Sequence, residues 1–379
     1  MSGEKIERGG NIFSPFTTHN LQLTTHYSVT LYAIKEYNIF TSLQKHMGTM
    51  MMLSYLKTIV RLRKELKKQQ DYIHTFLNPY LEQLQVKYQC TFHQEQLKKI
   101  RQYYGLFIPT ILCSGYKHLY NEKYTEAERK RATLFGILTP VGDDLFDIDK
   151  LDVTAINEIT YHPESYDAKT FSAHIAKEIQ SFMLKDVPFR KEYLEAAKNV
   201  FEIQLETIKQ TDPSINDKDL EQITYAKGGY SVIIYHQIME KPASEAIWKV
   251  LFYIGSLMQF ANDLFDMFKD LREGIITLPN RCTDYTSLRE LFMSRVKECN
   301  QLIYALPYKH HKKEEFAVAM HLIISRGIIV IDKMIGLERQ LGKPLNYKNL
   351  TRQQLICDME KTKNILKWLY YSYKLPRLT

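Results

Sequence analysis

Apolar residues recur at intervals of three to four positions along most of the chain, which is the spacing of amphipathic helices. Proline, glycine and asparagine separate these segments, and no segment shows the strict alternation typical of a half-buried strand. The pattern predicts an all-α protein of roughly ten to thirteen helices. The predicted helical segments are residues 27–70 with a break near Asn38, 94–119, the stretch from Thr125 to the acidic residues at 143–147, 168–184, 188–211, 218–240, 243–274, 285–303, 312–341 and 351–374.

Single residues indicate where several of these helices begin, bend or end. Thr125, followed three positions later by Glu128, is a capping-box signal for a helix start. Pro109 lies inside a predicted helix and should kink it, because proline cannot donate a backbone hydrogen bond. Gly274 follows the last periodic residue of another helix and is typical of a C-terminal stop.

The distribution of polar residues predicts a flexible N-terminal arm, residues 1–26, and a single α-helical domain, residues 27–379. The arm lacks the apolar core of a signal peptide, and no run of 18 apolar residues predicts a transmembrane helix. Five scattered cysteines without metal-binding spacing are typical of a reduced intracellular protein. We therefore expect a soluble cytoplasmic protein.

The formal net charge of +8 favours anionic substrates or membrane surfaces. No recognisable nucleic-acid-binding motif accompanies this charge, so no nucleic-acid partner is expected. Residues 50–68 combine apolar with basic side chains, which is compatible with peripheral binding to an anionic membrane. A packed helix with a solvated basic face is the favoured interpretation of this segment. The sequence leaves the oligomeric state open, and a homodimer is compatible with it.

The first candidate for chemistry is an acidic stretch near the end of the predicted helix 243–274. Asn262, Asp266 and Asp270 are spaced four residues apart, which places their oxygens on one helix face. Carboxylates at this spacing repel each other and destabilise a bare helix by a few tenths of a kcal/mol per pair. A mostly apolar run precedes them, so the pattern indicates a compensating cation.

A second acidic stretch lies upstream and reads Thr-Pro-Val-Gly-Asp-Asp-Leu-Phe-Asp, with the carboxylates of Asp143, Asp144 and Asp147. Carboxylate and amide oxygens suit a hard ion such as Mg²⁺, which often leaves part of its shell to substrate phosphates. The two stretches together predict two acidic walls with Mg²⁺ and a phosphate ester between them. A solvated acidic face remains the structural alternative for either stretch alone.

These residues resemble the metal motifs of the class I isoprenoid (terpene) synthase superfamily. Asp143 to Asp147 looks like its first aspartate-rich motif, and Asn262 to Asp270 resembles the second metal motif of terpene cyclases. Asp266 and Asp270 stand where the cyclase pattern has Ser or Thr and Glu. Other features resemble neighbouring branches: Gly255 and Gln259 are similar to prenyltransferases, and residues 272–279 to the end of the corresponding motif in squalene and phytoene synthases.

The resemblance implies a class I isoprenoid synthase-like helical bundle around a central apolar cavity, with both acidic motifs at its mouth. It implies three Mg²⁺ ions that hold a prenyl diphosphate substrate by its head and promote ionisation to an allylic cation. The implied metal ligands are Asp143, Asp144, Asp147, Asn262, Asp266 and Asp270. Candidate aromatic residues for the cavity wall are Phe135, Tyr230, Phe252 and Phe260.

Basic residues near the motifs are candidate contacts for the diphosphate. Lys227 precedes Gln259 by 32 residues, which resembles the lysine on the preceding core helix of prenyltransferases. Gly228 and Gly229 follow it inside a predicted helix at a cost of about 1 kcal/mol each, so we interpret them as a kink or a close approach to ligand. The lesser candidates are Arg131, Lys269 and Arg272.

Three functions compete at this point. The favoured one is a terpene synthase, a carbon–oxygen lyase that acts on one prenyl diphosphate and releases a hydrocarbon or alcohol. The alternative is head-to-head coupling of two prenyl diphosphates, as in squalene and phytoene synthases, a transferase reaction. The third is a non-catalytic helical binding protein whose acidic faces are merely solvated.

Overall fold

The computed structural model describes residues 49–379, and every regular element within this range is a helix. The predicted all-α class is therefore confirmed for the described residues. The predicted flexible arm, residues 1–26, and the predicted helical residues 27–48 lie outside them. The α-helices are α1 (Thr49–Tyr72), α2 (Asn78–Tyr88), α3 (Gln94–Lys98), α4 (Ser114–Tyr120), α5 (Glu126–Asp147), α6 (Val153–Tyr161), α7 (Phe171–Asp186), α8 (Arg190–Glu206), α9 (Asp217–Gln237), α10 (Glu245–Glu273), α11 (Leu278–Arg281), α12 (Tyr285–Ala305), α13 (His310–Leu341), α14 (Arg352–Leu355) and α15 (Thr362–Lys374).

The predicted helix signals have different outcomes. Thr125 and Glu128 form a complete capping box at the start of α5, and Gly274 ends α10 in the left-handed conformation with φ of 71°. Pro109, predicted to kink a helix, lies in a π-helical segment, Lys99–Cys113, that joins α3 to α4. The wider helical turn therefore accommodates a residue that cannot donate an N–H bond.

Three predicted boundaries are wrong. Residues 78–88 lie between two predicted helices and form α2. The polar connection after the first acidic stretch contains α6, which begins where the Asp152 side chain accepts a hydrogen bond from the Ala155 N–H. The predicted helix 351–374 is divided into α14 and α15 by non-helical residues. At α6 local capping chemistry, rather than apolar periodicity, decides where the helix begins, whereas no side-chain cap precedes α15.

The core is built around α10 and α13, whose apolar side chains are buried along most of their lengths. Helix α9 lies against α10 at an unusually short distance. A Cβ atom added to Gly228 would lie 2.1 Å from the Gly255 carbonyl oxygen, and one added to Gly229 would lie 2.4 Å from the Phe252 ring. The glycines thus serve backbone packing between two helices, and α9 runs through them without a break. The interpretation of Gly228 and Gly229 as a kink or a ligand contact is wrong.

No helix among residues 49–379 combines the length and apolarity needed to cross a membrane.

Candidate functional site

The acidic face of α10 is buried within the protein. Asn262, Asp266 and Asp270 have 5%, 2% and 7% of their surfaces exposed. The Asn262 amide donates a hydrogen bond of 3.0 Å from Nδ2 to Oδ2 of Asp266. The other carboxylate oxygen of Asp266, Oδ1, is buried without a hydrogen-bond partner among the described residues. A buried carboxylate oxygen in that state is costly and can accept a ligand, a water or a cation.

A fourth polar residue on α10, Asp263, belongs to this cluster and was not predicted. Its carboxylate accepts hydrogen bonds from Gln259 Nε2 at 2.6 Å and from Thr224 Oγ1 at 3.4 Å. Only 5% of the residue is exposed. The sequence signal was its position next to Asn262 and four residues after Gln259, a spacing that brings two side chains of a helix together.

Burial shifts the protonation equilibria of the three buried α10 carboxylates in the same direction. Removal from water raises the pKa of Asp263 to about 7 and that of Asp266 to about 6. Burial raises the pKa of Asp270 well above its ordinary range, and the negative charges of Asp266 and Asp263 add to this effect. Crowded, desolvated carboxylates favour their neutral forms unless a positive charge accompanies them.

Lys227 on α9 provides one such charge and connects the two acidic stretches. Burial lowers the pKa of its ammonium group, and the carboxylates of Asp263, Asp143 and Asp270 oppose that shift. Asp143 comes from α5, whereas Asp263 and Asp270 come from α10. A single half-buried lysine therefore interacts electrostatically with carboxylates from both predicted motifs.

The first acidic stretch lies at the end of α5, and its side chains point in different directions. Asp143 is 2% exposed and lies on the wall of a cavity that Lys227 also lines. Asp144 points elsewhere and accepts a hydrogen bond of 2.5 Å from Gln96 Nε2. Asp147 is the final residue of α5, and its side chain lies outside what the structure describes. The structure thus brings Asp143, but not Asp144, to the cavity.

The cavity is enclosed by helices α5 to α9 and contains about 1070 Å³ of empty space, which includes its opening to solvent. Its wall is mostly apolar, and Asp143 and Lys227 are its charged residues. No described residue of α10 is part of the wall. The α10 carboxylates are therefore linked to the cavity through Lys227, which corrects the expectation that both acidic motifs lie at the mouth.

The lesser basic candidates occupy three different environments. Arg131 is held three turns away from Asp143 by ion pairs with Asp186 at 2.9 Å and Glu240 at 3.3 Å. Its guanidinium is fully engaged there, and we leave Arg131 out of the site. Lys269 remains beside the α10 carboxylates, where its charge opposes the rise in the Asp266 pKa. Arg272 is exposed, with its guanidinium 5.8 Å from the Phe268 ring centre.

Of the aromatic candidates, Phe135 alone lies on the cavity wall, where its ring meets that of Tyr235 edge to face at 4.9 Å. Tyr230 and Phe252 pack against each other beside Trp248. Phe260 is fully buried against Phe292. These last three predicted wall residues are ordinary core residues.

The side chains fit a divalent cation by their chemistry. Asn262 and Asp266 offer hard oxygen donors, and the partnerless Oδ1 of Asp266 is available to a ligand. Within residues 49–379, no three His, Cys, Asp or Glu side chains form a compact metal-binding group.

Comparison of the chain with models of protein families, with curated proteins and with solved structures finds no match.

Proposed function

We propose that the protein is a Mg²⁺-dependent class I terpene synthase that acts on a single prenyl diphosphate. The observation that carries this proposal is the position of Lys227. Its ammonium group interacts with carboxylates of both acidic stretches and also lines a large apolar cavity. A polar, cation-compatible head site joined to an apolar chamber suits an amphiphile with a diphosphate head and a hydrocarbon tail.

Asp143 from α5 and Asn262, Asp266 and Asp270 from α10 would hold the metal. When bound, Mg²⁺ supplies positive charge to the diphosphate oxygens as they become a leaving group. The raised pKa values of Asp266 and Asp270 are consistent with this role, because a bound cation would favour the charged carboxylates.

Lys227 would bind the diphosphate and remain bound to it as the carbon–oxygen bond breaks. The bonding electron pair leaves with the diphosphate, and the allylic carbon becomes a cation. An ammonium donor that is already desolvated stabilises this developing negative charge without reorganisation. The half-buried position of Lys227 and the apolar wall next to it support this role.

The cavity would hold the hydrocarbon tail and exclude bulk water from the cation. The edge-to-face pair of Phe135 and Tyr235 places aromatic surface in the wall, and each aromatic face can stabilise a cation by about 0.5 to 2 kcal/mol. Arg131 is tied into ion pairs, which leaves few basic groups for a second diphosphate and supports a one-substrate reaction.

The proposal is tested by incubating the purified protein with prenyl diphosphates of increasing chain length, with Mg²⁺ and without a reductant. We expect release of diphosphate and a hydrocarbon or alcohol of unchanged carbon number, detected by mass spectrometry. Products of doubled carbon number would replace the proposal with head-to-head coupling. Absence of turnover with the whole series would favour the non-catalytic binding protein, and full turnover in EDTA would contradict the metal assignment.

A further inference from the structure

Helix α1 has an outer face on which basic and large apolar residues alternate. Five of its exposed residues recur at helical spacing and share one stripe: Leu53, Lys57, Val60, Lys64 and Lys67. Leu53 is 50% exposed and Val60 is 55% exposed, on a helix that carries six lysine and arginine residues. No acidic residue is exposed between Leu53 and Lys68. The stripe is about 21 Å long at 1.5 Å per residue.

Helix α15 repeats this pattern near the other end of the described chain. Its exposed stripe consists of Lys363, Leu366, Tyr370 and Lys374, again without an acidic residue. Leu366 is 41% exposed and Tyr370 is 43% exposed. We call the stripe of α1 the basic-apolar face.

The two stripes do not share one face. The Tyr55 hydroxyl lies 2.9 Å from Ser372 Oγ, and the rings of Tyr55 and Tyr373 meet edge to face at 5.7 Å, so α1 and α15 contact each other through buried side chains. Leu53 and Lys57 lie two residues from Tyr55, and Tyr370 and Lys374 lie two residues from Ser372, which places both stripes on the sides of their helices that face away from this contact. The stripe of α1 is therefore a surface of its own.

We infer that the basic-apolar face docks on an anionic lipid bilayer. Lysine ammonium groups are attracted to anionic headgroups, and the leucine and valine side chains between them can enter the boundary between headgroups and acyl chains. The interleaving of charge with exposed apolar surface favours a bilayer over a nucleic acid, whose phosphates would leave the apolar groups in water. The inference stands apart from the proposed reaction, since none of these residues belongs to the site.

The test is cosedimentation of the full chain with phosphatidylcholine vesicles that contain or lack phosphatidylserine. We expect binding to the anionic vesicles only, and weaker binding as salt is raised. Each cation at such a surface contributes roughly fivefold to binding, so the double variant Lys57→Glu, Lys64→Glu should bind at least about 25-fold more weakly. The matched control is Lys191→Glu, Lys218→Glu, which reverses two exposed lysines of other helices and should bind like the unaltered chain.

A second pair of variants separates insertion from electrostatic attraction alone. Leu53→Ser, Val60→Ser keeps every charge and should also reduce vesicle binding, while circular dichroism remains unchanged because both side chains are exposed. The inference is overturned if the unaltered chain does not bind anionic vesicles, or if both double charge reversals have the same effect. It is also overturned if a DNA or RNA oligonucleotide displaces the vesicles at equal charge concentration.

Discussion

The acidic end of α5 and the acidic face of α10 have similar residues at different spacing, and the fold treats them differently. Asn262, Asp266 and Asp270 recur every four residues, share one face of α10 and are all buried. Asp143 and Asp144 are adjacent on α5, so their side chains point in different directions: Asp143 lines the cavity and Asp144 bonds to Gln96. Spacing within the helix therefore decides which polar side chains lie together.

The two regions also differ in their electrostatic environment. On α10, burial raises the pKa values of three carboxylates, and the charge of Asp266 adds to this effect at Asp263 and Asp270. On α5, Asp143 interacts electrostatically with Lys227, a residue of a third helix. The comparison predicts that the α10 face is a cluster, whereas α5 contributes a single functional carboxylate.

The largest expected effect is the loss of turnover when one carboxylate is removed from either region. Asp266→Asn and Asp143→Asn should each lower turnover of a prenyl diphosphate by at least about 1000-fold, because each removes a charge from the proposed head site. Asp144→Asn is the matched control on α5 and should stay within about tenfold of the unaltered enzyme. Turnover is measured by diphosphate release. Equal losses for Asp143→Asn and Asp144→Asn would contradict the inference that only Asp143 belongs to the head site.

The next largest effect is on unfolding stability and concerns the packing of α9 against α10. Gly228→Ala should destabilise the protein by about 3 kcal/mol, since the new methyl group would meet the Gly255 carbonyl at 2.1 Å and force α9 and α10 apart. Urea unfolding followed by circular dichroism measures this loss. Gly336→Ala is the control, because nothing lies within 4 Å of the corresponding Cβ position on α13. A stabilised Gly228→Ala variant would show that helix propensity outweighs packing there.

A smaller effect distinguishes Lys227 from Arg131. Lys227→Met should weaken binding of inorganic diphosphate by about 1.5 to 3 kcal/mol, the value of a charge-assisted hydrogen bond. Arg131→Met should instead reduce unfolding stability by about 2 kcal/mol and leave diphosphate affinity unchanged, because its partners Asp186 and Glu240 belong to the scaffold. Isothermal titration and urea unfolding provide the two measurements. Unchanged diphosphate affinity in Lys227→Met would remove that lysine from the site.

The smallest effect is the pH dependence of the α10 face. A carboxyl whose folded pKa of about 7 exceeds its ordinary value of 3.8 stabilises the fold below pH 3.8, and this contribution is lost as pH rises through about 7. Asp263→Asn should therefore raise the unfolding temperature of the metal-free protein at pH 8 and change it little at pH 4. The same shift at both pH values would contradict the raised pKa.

Much of the fold could be predicted from local sequence. The helices α5, α9, α10, α12 and α13 follow apolar periodicity, and the Thr125 capping box and the Gly274 stop are local chemistry that needs no tertiary information. The prediction failed for Gly228, because the short approach of Gly255 involves residues far apart in the chain. It failed for Asp263 because burial, not spacing, gives that carboxyl its raised pKa.

The sequence by itself determined the helical class, the acidic face of α10 and the presence of Lys227 near the glycine pair. These depend on residue type and on spacing within one helix, which fixes relative direction. Only the tertiary structure decided that Asp143 and Lys227 share a cavity wall, that Asp144 turns to Gln96, and that Arg131 is held by Asp186 and Glu240. The physical reason is that the partners of a charged side chain come from other helices, and packing alone brings those helices together.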